Sequence, residues 1–325
     1  MTDMLDQLPR NLGLDLMRAT EAAALTAAHW MGRGKRSEAD HSASASIFEA
    51  LKPVEMDGCL VLGEEARLRE KASFRSGTKS GSGAGSPVDL ILDPIDGRQL
   101  LANGFSGAIS VLAAVPRGAF WVPSRAIYLE KIVVNAEVAE ALVPECMNAP
   151  PAWILALVAR AKKKKVSDLT VFMLARHRHE VLMEEIRIAG ARVILRSDGD
   201  IAGALMAASE NTGIDVLMGI GGAMEGLISA CAVKALGGGM LCRLAPQSAD
   251  ERHSVLEAGL DIEQILSVQE MVRSRCFYFV ATGITDGPIL RGVSFQGSKA
   301  VTHSLILQGE TRTRRNVFAE HRMDI

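Results

Sequence analysis

With Lys+Arg 36 against Asp+Glu 38 in 325 residues, the chain has a formal net charge of -2 and so no global attraction to nucleic acid or an anionic membrane. A hydrophobic content of 48% with only 4% aromatics describes a core of Ala, Val, Ile and Leu, which suits sheets covered by helices in an α/β fold. No apolar run reaches the roughly 20 residues of a membrane span, so neither a membrane nor a nucleic acid is expected as a partner.

The N-terminal MTDMLDQLPR lacks a basic region followed by an apolar stretch, which points to a cytoplasmic location. Helical spacing predicts a first helix over about 14–31 and its end at Gly32-Arg33-Gly34. A second helix is expected to start near Asp40, where the aspartate has an ordinary capping explanation. CLVL (59–62) and VDLIL (88–92) read as buried strands, and RSGTKSGSGAGSP between them as a flexible Gly/Ser loop. AISVLAAV (108–115) and EKIVVN (130–135) are expected to continue the sheet, and NAPPAW near residue 150 to mark a domain boundary. The division is therefore placed at 1–150 and 151–325. Beyond it, LTVFMLA, RHEVLMEEIRIAG, ARVILR, DIAGALMAAS, DVLMGIG and AMEGLISACAVKALG alternate strand and helix, which predicts parallel pairing with crossovers. Lys162 to Lys165 is read as the solvated end of a helix. CFYFVATGIT and THSLILQG return to strands, and five widely spaced cysteines without a CxxC pair are expected to be reduced thiols.

Five stretches carry chemistry. In DPIDG, Pro94 is expected to turn the chain after the strand so that Asp93, Asp96 and the Ile95 carbonyl form a hard-oxygen site for Mg²⁺ or Mn²⁺. An Asp-Pro helix start explains the same residues equally well. Glu64 follows another apolar strand, where a metal site and a solvated acidic loop are both open readings. In DVLMGIGGAMEG, Gly221 and Gly222 at a helix N-terminus suit a phosphate, with Glu225 in the first turn as a ligand of an accompanying metal; the alternative is a tight turn with a Glu near the cap. Arg176 and Arg178 follow a strand where ligands commonly bind, and Asp198 and Asp200 open a helix as caps or as contacts to sugar hydroxyls.

The collinear order WMGRGxxxxAD, VLGE, DLILDPIDG, YLEKIVVN, RHRHEVLMEEI, GARV, SDGDIA, MGIGGAMEG and FVATGIT resembles the class II fructose-1,6-bisphosphatases, including the bifunctional fructose/sedoheptulose enzymes, of the lithium-sensitive, metal-dependent sugar phosphatase superfamily. The resemblance implies a layered αβαβα architecture with two mixed sheets between helices. It also implies hydrolysis of the 1-phosphate of fructose 1,6-bisphosphate, or of sedoheptulose 1,7-bisphosphate, by water activated on Mg²⁺ or Mn²⁺. By the same resemblance Asp40 and Glu64 bind or orient metal and water, Asp93 and Asp96 hold metals, and Glu225 is a ligand at the phosphate. Tyr128, Arg176, Arg178, Asp198 and Asp200 would address the sugar bisphosphate. A homo-oligomer, a dimer or tetramer, is the expected assembly.

Several positions depart from the family pattern. Arg98 stands where the family has a Thr or Ser that helps position the attacking water. Its guanidinium beside Asp93, Asp96 and Glu64 is expected to take a cation position in the catalytic centre without activating water. Lys35 and Arg36 replace an Asp-Lys pair, GEEARLREK replaces a loop with differently spaced acids, the lid after it becomes the Gly/Ser loop, and the aspartate before the tyrosine motif is replaced near Ala126. These changes predict slow hydrolysis or, as the rival reading, a sugar-phosphate-binding regulatory or structural subunit. A changed substrate, such as an inositol phosphate or a nucleotide bisphosphate, is the third reading; the scarcity of aromatics gives a base little to stack on.

Overall fold

The computed structural model describes residues 8–65 and 72–323. They form two compact units, one drawn from the chain up to Val122 and again from Val272 onward, the other spanning Pro123–Met271.

The first unit is built on a mixed sheet. Its strands, numbered along the whole chain, are β1 (Met56–Leu60), β2 (Lys79–Ser80), β3 (Ser86–Asp96), β4 (Ile109–Pro116), β11 (Tyr278–Gly283), β12 (Ser294–Gln296), β13 (Lys299–Gln308) and β14 (Thr313–Arg322). Their order is β12-β13-β11-β4-β3-β1-β2, with β14 also on β13; β1 and β3 run parallel and the other pairs antiparallel. Helix α1 (Leu12–Ala28) lies on β11, β13 and β4. Leu16, Ala19, Ala23, Ala24 and Ala27 are fully buried, and these small side chains let helix and sheet approach closely.

Helix α2 (Arg36–Leu51) begins before the expected start, with Lys35 at its N-cap. Asp40 therefore lies inside the helix, buried, and caps nothing. The Gly/Ser loop is also more ordered than its composition suggests: β2 pairs with β1, and the Ser82 and Gly83 amides donate to the Val54 and Met56 carbonyls. A Cβ on Gly85 would meet the Glu55 carbonyl oxygen at 2.6 Å, so glycine there permits the close approach.

Pro94 does not reverse the chain. β3 runs on through Asp96 with an irregularity in its register: Asp93 faces Val111 and Asp96 faces Ile109, so one extra residue is accommodated on β3. A proline, having no N–H to donate, is tolerated at such a bulge. The turn falls at Gly97, whose φ of +96° starts the short helix Arg98–Ala102.

The second unit holds β5 (Tyr128–Val134), β6 (Thr170–Leu174), β7 (Arg192–Arg196), β8 (Val216–Gly222), β9 (Gly239–Leu244) and β10 (Leu266–Ser267), in the order β10-β9-β5-β8-β6-β7. As the strand–helix alternation predicts, β6 is parallel to both β7 and β8. The boundary expected near residue 150 lies elsewhere, because β5 is paired between β8 and β9 and so belongs to this unit and not to the sheet of β4. The two strand segments CFYFVATGIT and THSLILQG return to the first unit as β11 and β13. The core of the second unit gathers Val134, Leu155, Val158, Val171, Met173, Ile186 and Val216.

Lys162 to Lys165 is only partly a solvated helix end. Lys162 and Lys164 reach the buried Asp215 at 3.2 and 2.7 Å, and Asp215 also accepts the Thr170 amide. These partners hold its carboxyl below the usual range against the opposing effect of burial. All five cysteines are free thiols, and burial pushes Cys242 up to about 12. Among the described residues no helix is long and apolar enough to cross a membrane. Helices with two mixed sheets are the elements expected of the layered sugar-phosphatase fold.

Candidate functional site

In the first unit the chemistry converges on Arg98. Gly97 turns the chain so that the Arg98 side chain enters a group of carboxylates contributed by α2, by the segment after β1 and by the end of β3. Its Nε lies 3.0 Å from Asp40 Oδ1, and its Nη2 lies 2.5 Å from Glu64 Oε1 and 3.8 Å from Asp93 Oδ1. The Glu64 and Asp93 side chains are almost wholly buried, as is Asp96 close by in sequence. Burial works against the guanidinium charge, but Asp93, Asp40 and Glu64 together outweigh it and raise the arginine's pKa above its ordinary value. Arg98 is thus a permanent cation within the acidic group.

The supporting contacts fix this arrangement. Asp93 Oδ1 accepts the Ile95 amide at 3.1 Å, and Glu64 Oε2 accepts the Ser73 amide at 3.4 Å. Arg36, one of the departures from the family pattern, donates to Gln99 Oε1 at 2.7 Å, next to Arg98 in the chain. Glu65, the neighbouring acid of GEE, accepts the Ser76 amide instead. The remainder of GEEARLREK, residues 66–71, lies outside the described residues.

Asp40, Glu64, Asp93 and Asp96 are hard-oxygen donors of the kind that hold Mg²⁺ or Mn²⁺. In this arrangement, however, a guanidinium already provides the positive charge for three of them. Among the described residues no group of three or more His, Cys, Asp or Glu side chains is disposed to hold a metal ion. As arranged here, with Arg98 among the acids, the residues do not fit a resident divalent ion.

In the second unit the end of β8 is the organising feature. Gly219 has a φ of +133°, and Gly222 precedes the helix Ala223–Ala235 as its N-cap. A Cβ on Gly222 would collide with the Glu225 carboxylate, which therefore lies over the turn. A Cβ on Gly221 would collide with both Asp200 and Lys131, whose Oδ2 and Nζ form a buried ion pair at 2.5 Å. Asp200 is the first residue of the helix Asp200–Ala208 and its N-cap is Gly199, so Asp200 is not itself the cap.

Arg178 lies 4.8 Å from the centre of the Tyr128 ring in a cation–π contact and donates from Nη2 to the Ile220 carbonyl at 2.9 Å. Its Nε is buried and has no hydrogen-bond partner among the described residues. His179, next in the chain, is 3% exposed; its Nε2 accepts the Ile220 amide at 2.8 Å, and its Nδ1 lies 2.8 Å from the Leu174 carbonyl. Arg176 is 4.0 Å from Asp198 and donates to the Ser197 carbonyl at 2.7 Å.

The structure thus brings Asp40, Glu64, Asp93 and Arg98 together in one unit. In the other it groups Tyr128, Arg178, Asp200, Gly221 and Gly222, with Glu225 over the turn and Arg176 paired with Asp198. Sequence reasoning missed Lys131 and His179. A lysine interrupting the apolar run of EKIVV, and the last histidine of RHRH directly before a helix, were the available signals.

The family model for bacterial, glpX-encoded fructose-1,6-bisphosphatase matches residues 10–321. The chain is 37% identical to the Haemophilus influenzae protein named fructose-1,6-bisphosphatase class 2, over 97% of this chain and 97% of that protein. It is 35% identical to fructose-1,6-bisphosphatase 1 class 2 of Escherichia coli K12, over 97% of this chain and 96% of the relative. On the near-complete family match and these two similarities, the chain belongs to the class 2, glpX-type fructose-1,6-bisphosphatase family.

Proposed function

We propose that this protein binds sugar bisphosphates, fructose 1,6-bisphosphate foremost and sedoheptulose 1,7-bisphosphate as its counterpart, and hydrolyses their 1-phosphate slowly. The observation that carries the reading is the Arg98 guanidinium lodged among Asp40, Glu64 and Asp93. The second unit supplies the binding chemistry. Arg178 offers a desolvated charge and a free buried Nε, Gly221 and Gly222 allow close backbone approach, and the helix after Gly222 presents its positive end to an anion. Asp198, Asp200 and Tyr128 are assigned to the sugar hydroxyls.

The loss lies in the reaction centre. Removing one positioned group at such a centre typically costs about two to three decades in rate. Here a hydroxyl has been replaced by a cation that also engages the acids. Binding without turnover would make the protein a regulatory or structural subunit, a second reading favoured by the same Arg98 contacts.

Phosphate release from fructose 1,6-bisphosphate with Mg²⁺ or Mn²⁺, alongside calorimetric binding, tests both readings in the natural protein and in Arg98→Thr. The expected result is binding by both proteins, slow or no turnover by the natural one, and a gain in turnover on substitution. Natural turnover near the common enzyme value of about 10 per second, inhibited by lithium, would remove the assigned effect of Arg98. Failure to bind the sugar bisphosphate would remove the reading altogether.

A further inference from the structure

β6 ends at Leu174, and its ladder with β8 is made at Val171–Val216 and Phe172–Leu217. Further along β8, Ile220 pairs with Glu130 of β5 on one side, while its own N–H and C=O are taken by side chains. Two consecutive residues take them: His179 accepts from the N–H and Arg178 donates to the C=O. Side chains from the segment after β6 therefore continue the hydrogen bonding that the strand no longer supplies, immediately before Gly221 and Gly222.

The histidine is confined to one tautomer. A backbone N–H can only donate, so Nε2 is the acceptor and Nδ1 carries the proton toward the Leu174 carbonyl. Burial and the neighbouring Arg178 and Lys131 charges favour the neutral ring, whereas the Leu174 carbonyl and Asp200 act in the opposite direction; the net shift is downward. The ring also fills the space beside Gly219, where a Cβ would meet its Cε1 and Nε2 at 3.0 Å.

We infer that His179 is a positioning residue of the sugar-phosphate cradle: through Nε2 it fixes the Ile220 amide and with it the turn that offers Gly221 and Gly222 to the ligand. Nearly inaccessible itself, it acts through the backbone of β8. The inference rests on the binding function proposed above, and it assigns to this histidine a role separable from packing.

Two substitutions divide its hydrogen bonds. The Gln side chain in His179→Gln places its amide oxygen near the position of Nε2 and keeps an acceptor for Ile220. The shorter His179→Asn places its amide nitrogen near Nδ1 and keeps the donor to Leu174. Hydrogen exchange across 216–223 and calorimetric titration with fructose 1,6-bisphosphate are measured on both full-length variants at a temperature where circular dichroism shows each folded.

The expected result is exchange and affinity near natural in His179→Gln. In His179→Asn exchange is faster over the turn and affinity falls by about tenfold, the scale of a buried amide left without its acceptor. Equal exchange in the two variants overturns the inference and leaves His179 a packing residue. If the natural protein does not bind the sugar bisphosphate, the proposed function fails instead, while the exchange comparison still decides whether His179 fixes the turn.

Discussion

Arg98 Nη2 and Glu64 Oε1 stand 2.5 Å apart, and the Glu64 side chain is 1% exposed, so this acid obtains from an internal cation the compensation that water cannot give it. Removing the charge while keeping the bulk, in Arg98→Met, leaves Asp40, Glu64 and Asp93 without it. The expected loss is about 3–5 kcal/mol of unfolding free energy, the cost of breaking a buried pair from one side, read from urea denaturation. In Arg98→Thr, Mn²⁺ is expected to raise the melting temperature by more than it does in the natural protein, where Arg98 competes for the same acids. An equal ion response in both would mean that Arg98 does not exclude the metal.

The Lys131–Asp200 pair gives a second test of buried charge. Lys131 is 1% exposed, with Asp200 Oδ2 at 2.5 Å. Lys131→Met is expected to cost about 3–5 kcal/mol, and a second change, Asp200→Leu, to restore part of that loss, because replacing both partners removes the stranded charge. Denaturation of the single and double variants checks the order, and a double variant less stable than Lys131→Met would contradict it.

Gly97 sets the entry of Arg98. Its φ of +96° and the 3.2 Å that would separate a new Cβ from Ala108 Cα both oppose a side chain. Gly97→Ala is expected to destabilise by at least about 1–2 kcal/mol from the left-handed backbone alone. A shift in the urea midpoint with unchanged slope is the measurement.

The neutral state of His179 makes stability depend on pH in a defined direction. Its folded pKa lies below the ordinary 6.5, chiefly through burial, so the unfolded chain takes up the proton first as pH falls. The contribution is complete above about 6.5, declines below it, and levels off once pH is under the folded value. His303 is shifted the same way, by burial first, so His179→Gln retains part of the decline. Urea midpoints at pH 7.5 and 5.5 should fall less in this variant than in the natural protein; equal falls would exclude the contribution.

Much of this architecture can be read from residue order. Apolar runs such as LTVFML and VDLIL locate strands, and Arg98 beside Asp93 in the chain forecasts a cation among acids because sequence neighbours at a turn stay neighbours in space. Long-range pairing is less accessible. Nothing local to EKIVVN says that it pairs with β8 and β9, so its place in the second sheet is not legible from the segment itself. Asp40 has the composition of a cap, yet its partner is 58 residues away in the chain. The role of His179 depends on an amide 41 residues further on, which local charge patterning does not encode.

The two-part composition of the first unit bears on the order of synthesis. Its sheet places β11 between β4 and β13, although β4 and β11 are separated in the chain by the whole of Pro123–Met271. A ribosome therefore completes the inserted unit first, while α1 and β4 still await β11 and β13, strands that cover much of their apolar surface. Domains usually acquire structure in the order in which they emerge. Here the segment begun first must be finished last, and until then the chain around Asp40 and Arg98 depends on whatever keeps a half-built sheet from pairing with another.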